Sequence, residues 1–509
     1  MLPPLRPCLL CLLVALGLAG CSFVDAFSSR AVDYNREAEQ AQLQALLLNV
    51  IRASYNRPMQ FTSLTTVSGT ASISGGTSLQ IPFGHHRPVA GVSPDILTLT
   101  NNVSGGPTFS VPVLDTQEFY QGELAPLTGQ EIRFFLDAGY TPSVLFYLFI
   151  DSVELTTTGA GKPQKFVFRN TVADDYDFDQ FAAVADYLLS LGISVERIQH
   201  SEKIGPELPA AKVTDPRDLA QLTSAGLKIS AVGEKQTTST PATRVSTGDA
   251  TPTAGAATKV RKSKPSAAQA GRYQVEKPST SYRPCFEPPS SKAALVDASL
   301  VCGAKASVDE EAQSVGNLTR ASGGISVGPL AARLQQVRAD FVQRLRTRSE
   351  SSAKTAAELA GLPNLPAGAR VQLKVIVRST EAILHYLGTV VARHLHPGFD
   401  RPRVIQVKIG VGYLPYPIAP CPDTSDAGVT VDVAPGYRCE NLFLLEQHDD
   451  PGDSPLAVSY DGKTYWVPSD GARAGRTMRD LDLVKQLLAL HISAKELPQS
   501  NILNVVSSP

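Results

Sequence analysis

Gly324-Ile325-Ser326-Val327-Gly328 has the G-x-S-x-G spacing of a nucleophile elbow, in which a tight strand-to-helix turn lifts a serine hydroxyl out of the fold. The chemistry would be acyl transfer, with Ser326 as nucleophile, a downstream His385 or His394 as base and Asp432 as its orienting acid. An elbow also needs a buried apolar strand before the serine, and residues 316–323 are mostly small or polar. Pro329 opens a helix, so only the second half of the context is met. The motif reads as a flexible lead-in to that helix, and a periplasmic serine hydrolase using Ser326 is kept as an alternative function.

Metal chemistry has weaker signals. His394 and His396 close a helix without a third ligand at a recognisable spacing, and a helix C-terminus favours histidine anyway. Asp175, Asp177, Asp179 and Asp186 fall at positions 1, 3, 5 and 12 of a calcium loop, but Gln180 stands where the turn needs glycine. Acidic residues opening a helix explain them. His448-Asp449-Asp450-Pro451-Gly452-Asp453 reads as an exposed turn. No phosphate-binding loop or dinucleotide fingerprint is present, so neither a metal nor a cofactor is expected.

Acylation is the chemistry with the sharpest motif. Arg6 precedes a short apolar run, Cys8 to Leu18, which ends in Leu18-Ala19-Gly20-Cys21. This start resembles the signal of bacterial lipoproteins. The resemblance implies cleavage between Gly20 and Cys21 and palmitate-type acylation of Cys21 on its thiol and new amine, several chains together making a durable anchor. Ser22, where an Asp would retain such a protein in the inner membrane, implies the outer membrane, with the body facing the periplasm. A plain secretory signal with an incidental cysteine, or an uncleaved tail, is the alternative.

Of the seven cysteines, Cys8 and Cys11 leave with the signal and Cys21 carries lipid, so Cys285, Cys302, Cys421 and Cys439 remain. An even number in an oxidising compartment reads as two disulfides, and clustering favours Cys285 with Cys302 and Cys421 with Cys439. The two other connectivities stay open, and a zinc site is the runner-up.

The folded elements must come from the remainder. Removing 20 of 509 residues leaves 489, of a chain that is 43% hydrophobic and 19% charged, enough for a large core. The net charge of −1 lacks the basic excess that nucleic-acid binding requires. No apolar stretch after the signal reaches the roughly 20 residues of a spanning helix, so the lipid is the expected membrane attachment.

The expected fold class is α+β, or mixed α/β. After the signal peptide (1–20), the anchor and an N-terminal helix (21–60) carry a helix from Val32 to Tyr55, with Ala38, Ala41, Ala45, Leu48 and Arg52 along one side and a second half that must be buried. A β-rich segment follows (61–160); inside it Thr128 to Ala138 and Pro142 to Ile150 lean towards helix, with a buried strand over Val144 to Ile150 as the open alternative. Residues 161–233 read as a small strand-helix-strand α/β unit, its helices at Asp177 to Leu191 and Pro216 to Ala225. Residues 234–292, rich in Ser, Thr, Pro and Ala, read as a disordered linker with a basic middle at Arg261-Lys262-Ser263-Lys264. The C-terminal α/β domain (293–509) holds a helix from Pro329, a second strand-helix-strand unit from Val371 to Val411, a hairpin over Asp461-Gly462 and a last helix from Thr477 to His491.

Asn35-Arg36-Glu37-Ala38-Glu39, Arg57-Pro58-Met59-Gln60-Phe61-Thr62, Glu118-Phe119-Tyr120-Gln121-Gly122, Ile376-Val377-Arg378-Ser379-Thr380 and Ser493-Ala494-Lys495-Glu496-Leu497-Pro498 resemble a group of uncharacterised proteobacterial lipoproteins. The resemblance implies a shared fold and no activity. The expected function is therefore a structural or interaction component of the cell envelope, held to the bilayer through acylated Cys21 and binding an envelope protein or cell-wall partner. A ligand-capturing accessory protein of a transporter is a further alternative, which would need a pocket between the two halves.

Overall fold

The computed structural model describes residues 35–61, 66–72, 79–82, 96–99, 104–110, 117–158, 162–209, 226–232, 272–304, 324–346, 350–396, 402–422, 431–448 and 452–491, with positions 32, 222 and 224 described singly. Gly20, Cys21, the run Arg261 to Lys264 and nearly all of the expected helix Pro216 to Ala225 lie outside the described residues.

Helix α1 covers residues 35–54. Its buried side is Leu43, Leu46, Leu47, Val50 and Ile51, mostly in the second half as expected, whereas Ala38, Ala41, Ala45, Leu48 and Arg52 are only half-buried. The larger aliphatics take the core side because they remove more apolar area from water. Close packing also requires Gly388 on a later helix, where a Cβ would come within 2.6 Å of the Ala53 Cβ.

Strands β1 (Thr66–Ser72), β2 (Leu79–Pro82), β3 (Ile96–Leu99) and β4 (Ser104–Ser110) make two antiparallel pairs, β1 with β4 and β2 with β3. The rest of the expected β-rich segment is largely helical: α2 (Gln117–Leu124), α3 (Gly129–Asp137) and α4 (Pro142–Phe149) fill it. Thr128 opens α3 with a full capping box to Glu131. Pro142 presets the first turn of α4, and Ser143 to Phe149 are all buried, as a helix apolar all round must be.

β5 (Ile150–Thr158) leaves α4 directly, and β6 (Lys165–Arg169) pairs back onto it. α5 (Asp175–Ser190) follows, then β7 (Ile193–Pro209), β8 (Lys228–Val232) and β9 (Arg272–Phe286), which form an antiparallel sheet in the order β7-β9-β8. β9 and the short 3₁₀ turn Ser290–Leu295 fall inside the stretch read as a disordered linker, and for residues 272–292 that reading is overturned. Two prolines hid the strand, yet Pro278 and Pro284 lie beyond the five residues that β8 pairs, where β7 is the strand that β9 pairs with among the described residues.

The second half contributes β10 (Ile325–Ser326), α6 (Gly328–Arg346), α7 (Glu350–Ala360), β11 (Arg370–Val377) and α8 (Thr380–Leu395), the last capped by the Ser379 hydroxyl accepting from the Ala382 amide at 3.1 Å. A four-stranded antiparallel sheet runs β10-β11-β5-β6, so both halves of the chain build it. Leu155 lies opposite Leu373 and Val153 opposite Val375, all four buried.

β12 (Gln406–Gly410), β13 (Val431–Ala434) and β14 (Tyr437–Asn441) form one small sheet; β15 (Glu446–Gln447), β16 (Ala457–Tyr460) and β17 (Lys463–Trp466) form another. Asp461 and Gly462 both have positive φ, as the expected hairpin turn requires. α9 (Gly471–Ala474) and α10 (Thr477–His491) close the described chain.

Both expected strand-helix-strand successions are present, β6-α5-β7 and β11-α8-β12, but the strands of each join different sheets, and among the described residues every pairing between these strands and their neighbours is antiparallel. A helix between two strands implies a parallel crossover only if both join one sheet. A single apolar cluster runs from Leu43 in α1 to Leu487 in α10. Among the described residues no helix is long and apolar enough to cross a membrane.

Cys285 is bonded to Cys302 and Cys421 to Cys439, the pairing that clustering favours. Closing a loop of 18 residues restricts the unfolded chain by about 3 kcal/mol. Cys421→Ala combined with Cys439→Ala is therefore expected to lower the melting temperature clearly, and an unchanged melt would contradict a stabilising role for this bridge.

Candidate functional site

α5 is capped by Asp174, whose carboxylate accepts from the Asp177 amide at 2.9 Å, with Asp175 and Asp177 in the positive first turn. Further along, Asp179, Ala182, Ala183 and Asp186 recur at helical spacing and form one stripe. On α6 a matching stripe of Arg333, Val337, Asp340 and Arg344 lies beside the apolar ridge that packs into the core. The two stripes face each other across a cleft of about 320 Å³. Residues 403–408 at the start of β12 and Pro420 to Pro422, tied to β14 by the Cys421 bridge, make the third wall. Two alanines in the middle of the α5 stripe leave the space open.

The charged side chains at this cleft are tied together across 165 to 228 positions of sequence. Arg403 donates to Asp175 at 3.1 Å and to Asp179 at 2.8 Å, Arg393 to Asp175 at 2.7 Å, and Arg344 to Asp179 at 3.1 Å. Burial alone would raise the Asp175 carboxyl, but Arg403 and Arg393 outweigh it and hold its pKa below the usual value. The Arg403 guanidinium also lies 5.1 Å from the Phe178 ring centre.

Deeper in, the Lys408 ammonium donates to Asp186 at 2.7 Å, with the two side chains only 6% and 11% exposed. Burial raises the Asp186 carboxyl and Lys408 opposes it, with burial prevailing. Next to this pair the Tyr187 and Tyr416 rings meet edge to face at 5.1 Å, and burial pushes the Tyr187 phenol up to about 12. The arrangement offers oriented charges of both signs around a half-open cleft, which suits the binding of a charged ligand.

Ser326 does sit at a strand-to-helix turn, between β10 and α6. That strand is a two-residue edge of an antiparallel sheet, and the Tyr187 hydroxyl donates to the Ser326 backbone carbonyl. Among the described residues no interaction joins the Ser326 side chain to His385, His394 or Asp432. His385 instead lies 3.7 Å from Glu381 on α8. His396 stacks on Tyr55 at 4.3 Å, and burial lowers the pKa of both His394 and His396.

The four aspartates read against a calcium loop are separated by function: Asp175 and Asp179 hold arginines, Asp186 holds Lys408, and Asp177 completes the cap of α5. Among the described residues no group of three or more His, Cys, Asp or Glu could hold a metal ion.

Lys408 and Arg403 were not singled out by the sequence. A signal was present, because Lys408 and Asp186 are charges inside otherwise apolar runs, and a charge in such a run is buried only with a partner.

Compared with known protein families, with curated proteins and with solved structures, the chain matches none of them.

Proposed function

We propose that the protein is an outer-membrane-anchored lipoprotein that acts by binding, tethered through acylated Cys21 and capturing a charged ligand, as an accessory protein of a transporter would. The cleft carries this reading. Its walls come from α5 in the first half and from α6 and residues 403–422 in the second, which is the pocket between halves that ligand capture needs. Electrostatic pairing orients its side chains in advance, so little freedom is lost when a ligand arrives.

Two measurements test the reading. Radiolabelled palmitate should enter the wild type and not Cys21→Ser, and unchanged labelling would sink the anchor. Thermal melts of the full-length protein against a panel of amino acids, short peptides, sugars and phosphates should find a stabilising ligand. Ala182→Trp, which fills the cleft, should remove that shift.

A serine hydrolase keeps one observation, the placement of Ser326 between strand and helix. The expected result is that a fluorophosphonate probe leaves Ser326 unlabelled in folded protein. Stoichiometric labelling would establish the hydrolase instead.

A further inference from the structure

Most charges in the cleft already have partners. Arg403 and Arg344 are held by Asp175 and Asp179, and Lys408 by Asp186. Arg333 and Asp340 differ. Arg333 has a single hydrogen bond, to the Gln336 side chain of its own helix at 2.9 Å, and Asp340 has no hydrogen bond or ion pair among the described residues. Both line the cleft.

Seven residues apart on α6, they lie nearly in line on one face, separated by about 10 Å of helix rise. The cleft therefore presents one cation and one exposed anion that make no ion pair with each other or with a neighbour among the described residues, their backbones about 10 Å apart along the helix, with the buried Val337 between them and the Asp186 carboxylate within electrostatic reach of Arg333. An extended peptide spans about 3.3–3.6 Å per residue, so three residues place an ammonium and a carboxylate at this distance. A dianion such as a phosphate ester would meet Arg333 but be repelled by Asp340. A neutral sugar would use neither charge.

We propose that this cleft binds a short free peptide of about three residues, its terminal carboxylate on Arg333 and its terminal ammonium on Asp340. The inference rests on the ligand-capturing reading above and names the class of ligand. The guanidinium offers a two-pronged grip on the carboxylate, and Asp340 a point contact for the ammonium.

Calorimetry on the full-length protein in detergent micelles decides it, with trialanine, N-acetyl-trialanine, trialanine amide and inorganic phosphate as probes. Trialanine should bind, and blocking either end should weaken it at least tenfold. Asp340→Asn should weaken trialanine by a similar factor while leaving N-acetyl-trialanine unchanged, and Arg333→Gln should do the same with respect to the amide. Melts of both variants check that the helix is intact, since both side chains face the cleft and not the core.

Equal binding of free and blocked peptides, or peptide binding insensitive to both variants, overturns the proposal. Phosphate binding that is lost in Arg333→Gln, with no peptide binding, overturns the peptide class and leaves a ligand-binding cleft. No response to any probe here, together with no stabilising ligand in the thermal panel, overturns both.

Discussion

Arg378→Met is expected to be the most damaging single substitution outside the apolar core, with a loss of about 3–5 kcal/mol. The Arg378 side chain is 4% exposed and donates to three backbone carbonyls: Tyr147 at 3.0 Å, Leu148 at 3.1 Å and Asn170 at 2.6 Å. Tyr147 and Leu148 belong to the last turn of α4, where carbonyls have no partner within the helix and the dipole is negative. A buried guanidinium is thus both the cap and the counter-charge of a wholly buried helix end. Its planar face rests 3.9 Å from the centre of the Tyr386 ring.

The main chain of Arg378 adds to this role. Its amide donates to Phe149 at 2.7 Å, and its carbonyl accepts from Leu127 at 3.0 Å. Methionine fills similar volume but leaves the buried Leu148 and Asn170 carbonyls short of donors, each costing about 1–3 kcal/mol, while the Tyr147 carbonyl keeps its bond from the Asn170 side-chain amide at 2.7 Å. Melting should fall by roughly 10 °C or more. A change within about 2 °C would show that water replaces the guanidinium and that the network is incidental.

This arginine bears on what could be read from the sequence. Ile376-Val377-Arg378-Ser379-Thr380 stood out only as a block, and the structure gives each end a reason: Arg378 caps α4 and Ser379 caps α8. Local devices were legible because their physics is local. The Thr128 capping box, the Ser379 cap and the Asp461-Gly462 turn each need only a few adjacent residues.

Pairing between distant segments was not legible. β5 pairs with β11 some 220 positions away, and nothing in either strand says so. Hence the strand-helix-strand order was mistaken for closed units. β9 was lost for a different reason: with two prolines and few aliphatics, it is held by its long pairing with β7, the Cys285 bridge and the Arg283 to Glu196 ion pair. The cleft combined both difficulties, since Asp175 and Arg403 are each ordinary surface charges until the fold brings them to 3.1 Å.

Glu123 carries the second large expectation, in which stability falls as pH rises. It lies on α2, is 1% exposed, and neither carboxylate oxygen has a hydrogen-bond partner among the described residues. Burial, and then the nearby Glu381 charge, push its pKa up to about 8. In the unfolded chain the group titrates near 4.5. Between these values the folded protein keeps a proton that the unfolded chain releases, so this contribution is complete below about pH 4.5 and is lost progressively up to pH 8.

At about 1.4 kcal/mol per unit, the full loss is roughly 3–5 kcal/mol. Glu123→Gln keeps the shape and cannot ionise, so it should match the wild type near pH 4.5 and exceed it increasingly toward pH 8. Melting both proteins at pH 5, 6.5 and 8 reads the effect as a widening gap. Other carboxylates, including Asp175 with its opposite sign, titrate in both proteins and cancel in the comparison. A gap independent of pH would mean that Glu123 is ionised and partnered in the folded state. A widening gap would place an ionisable group at the packing of α2 against α8 and α10, so that alkaline conditions loosen α2 before the sheet.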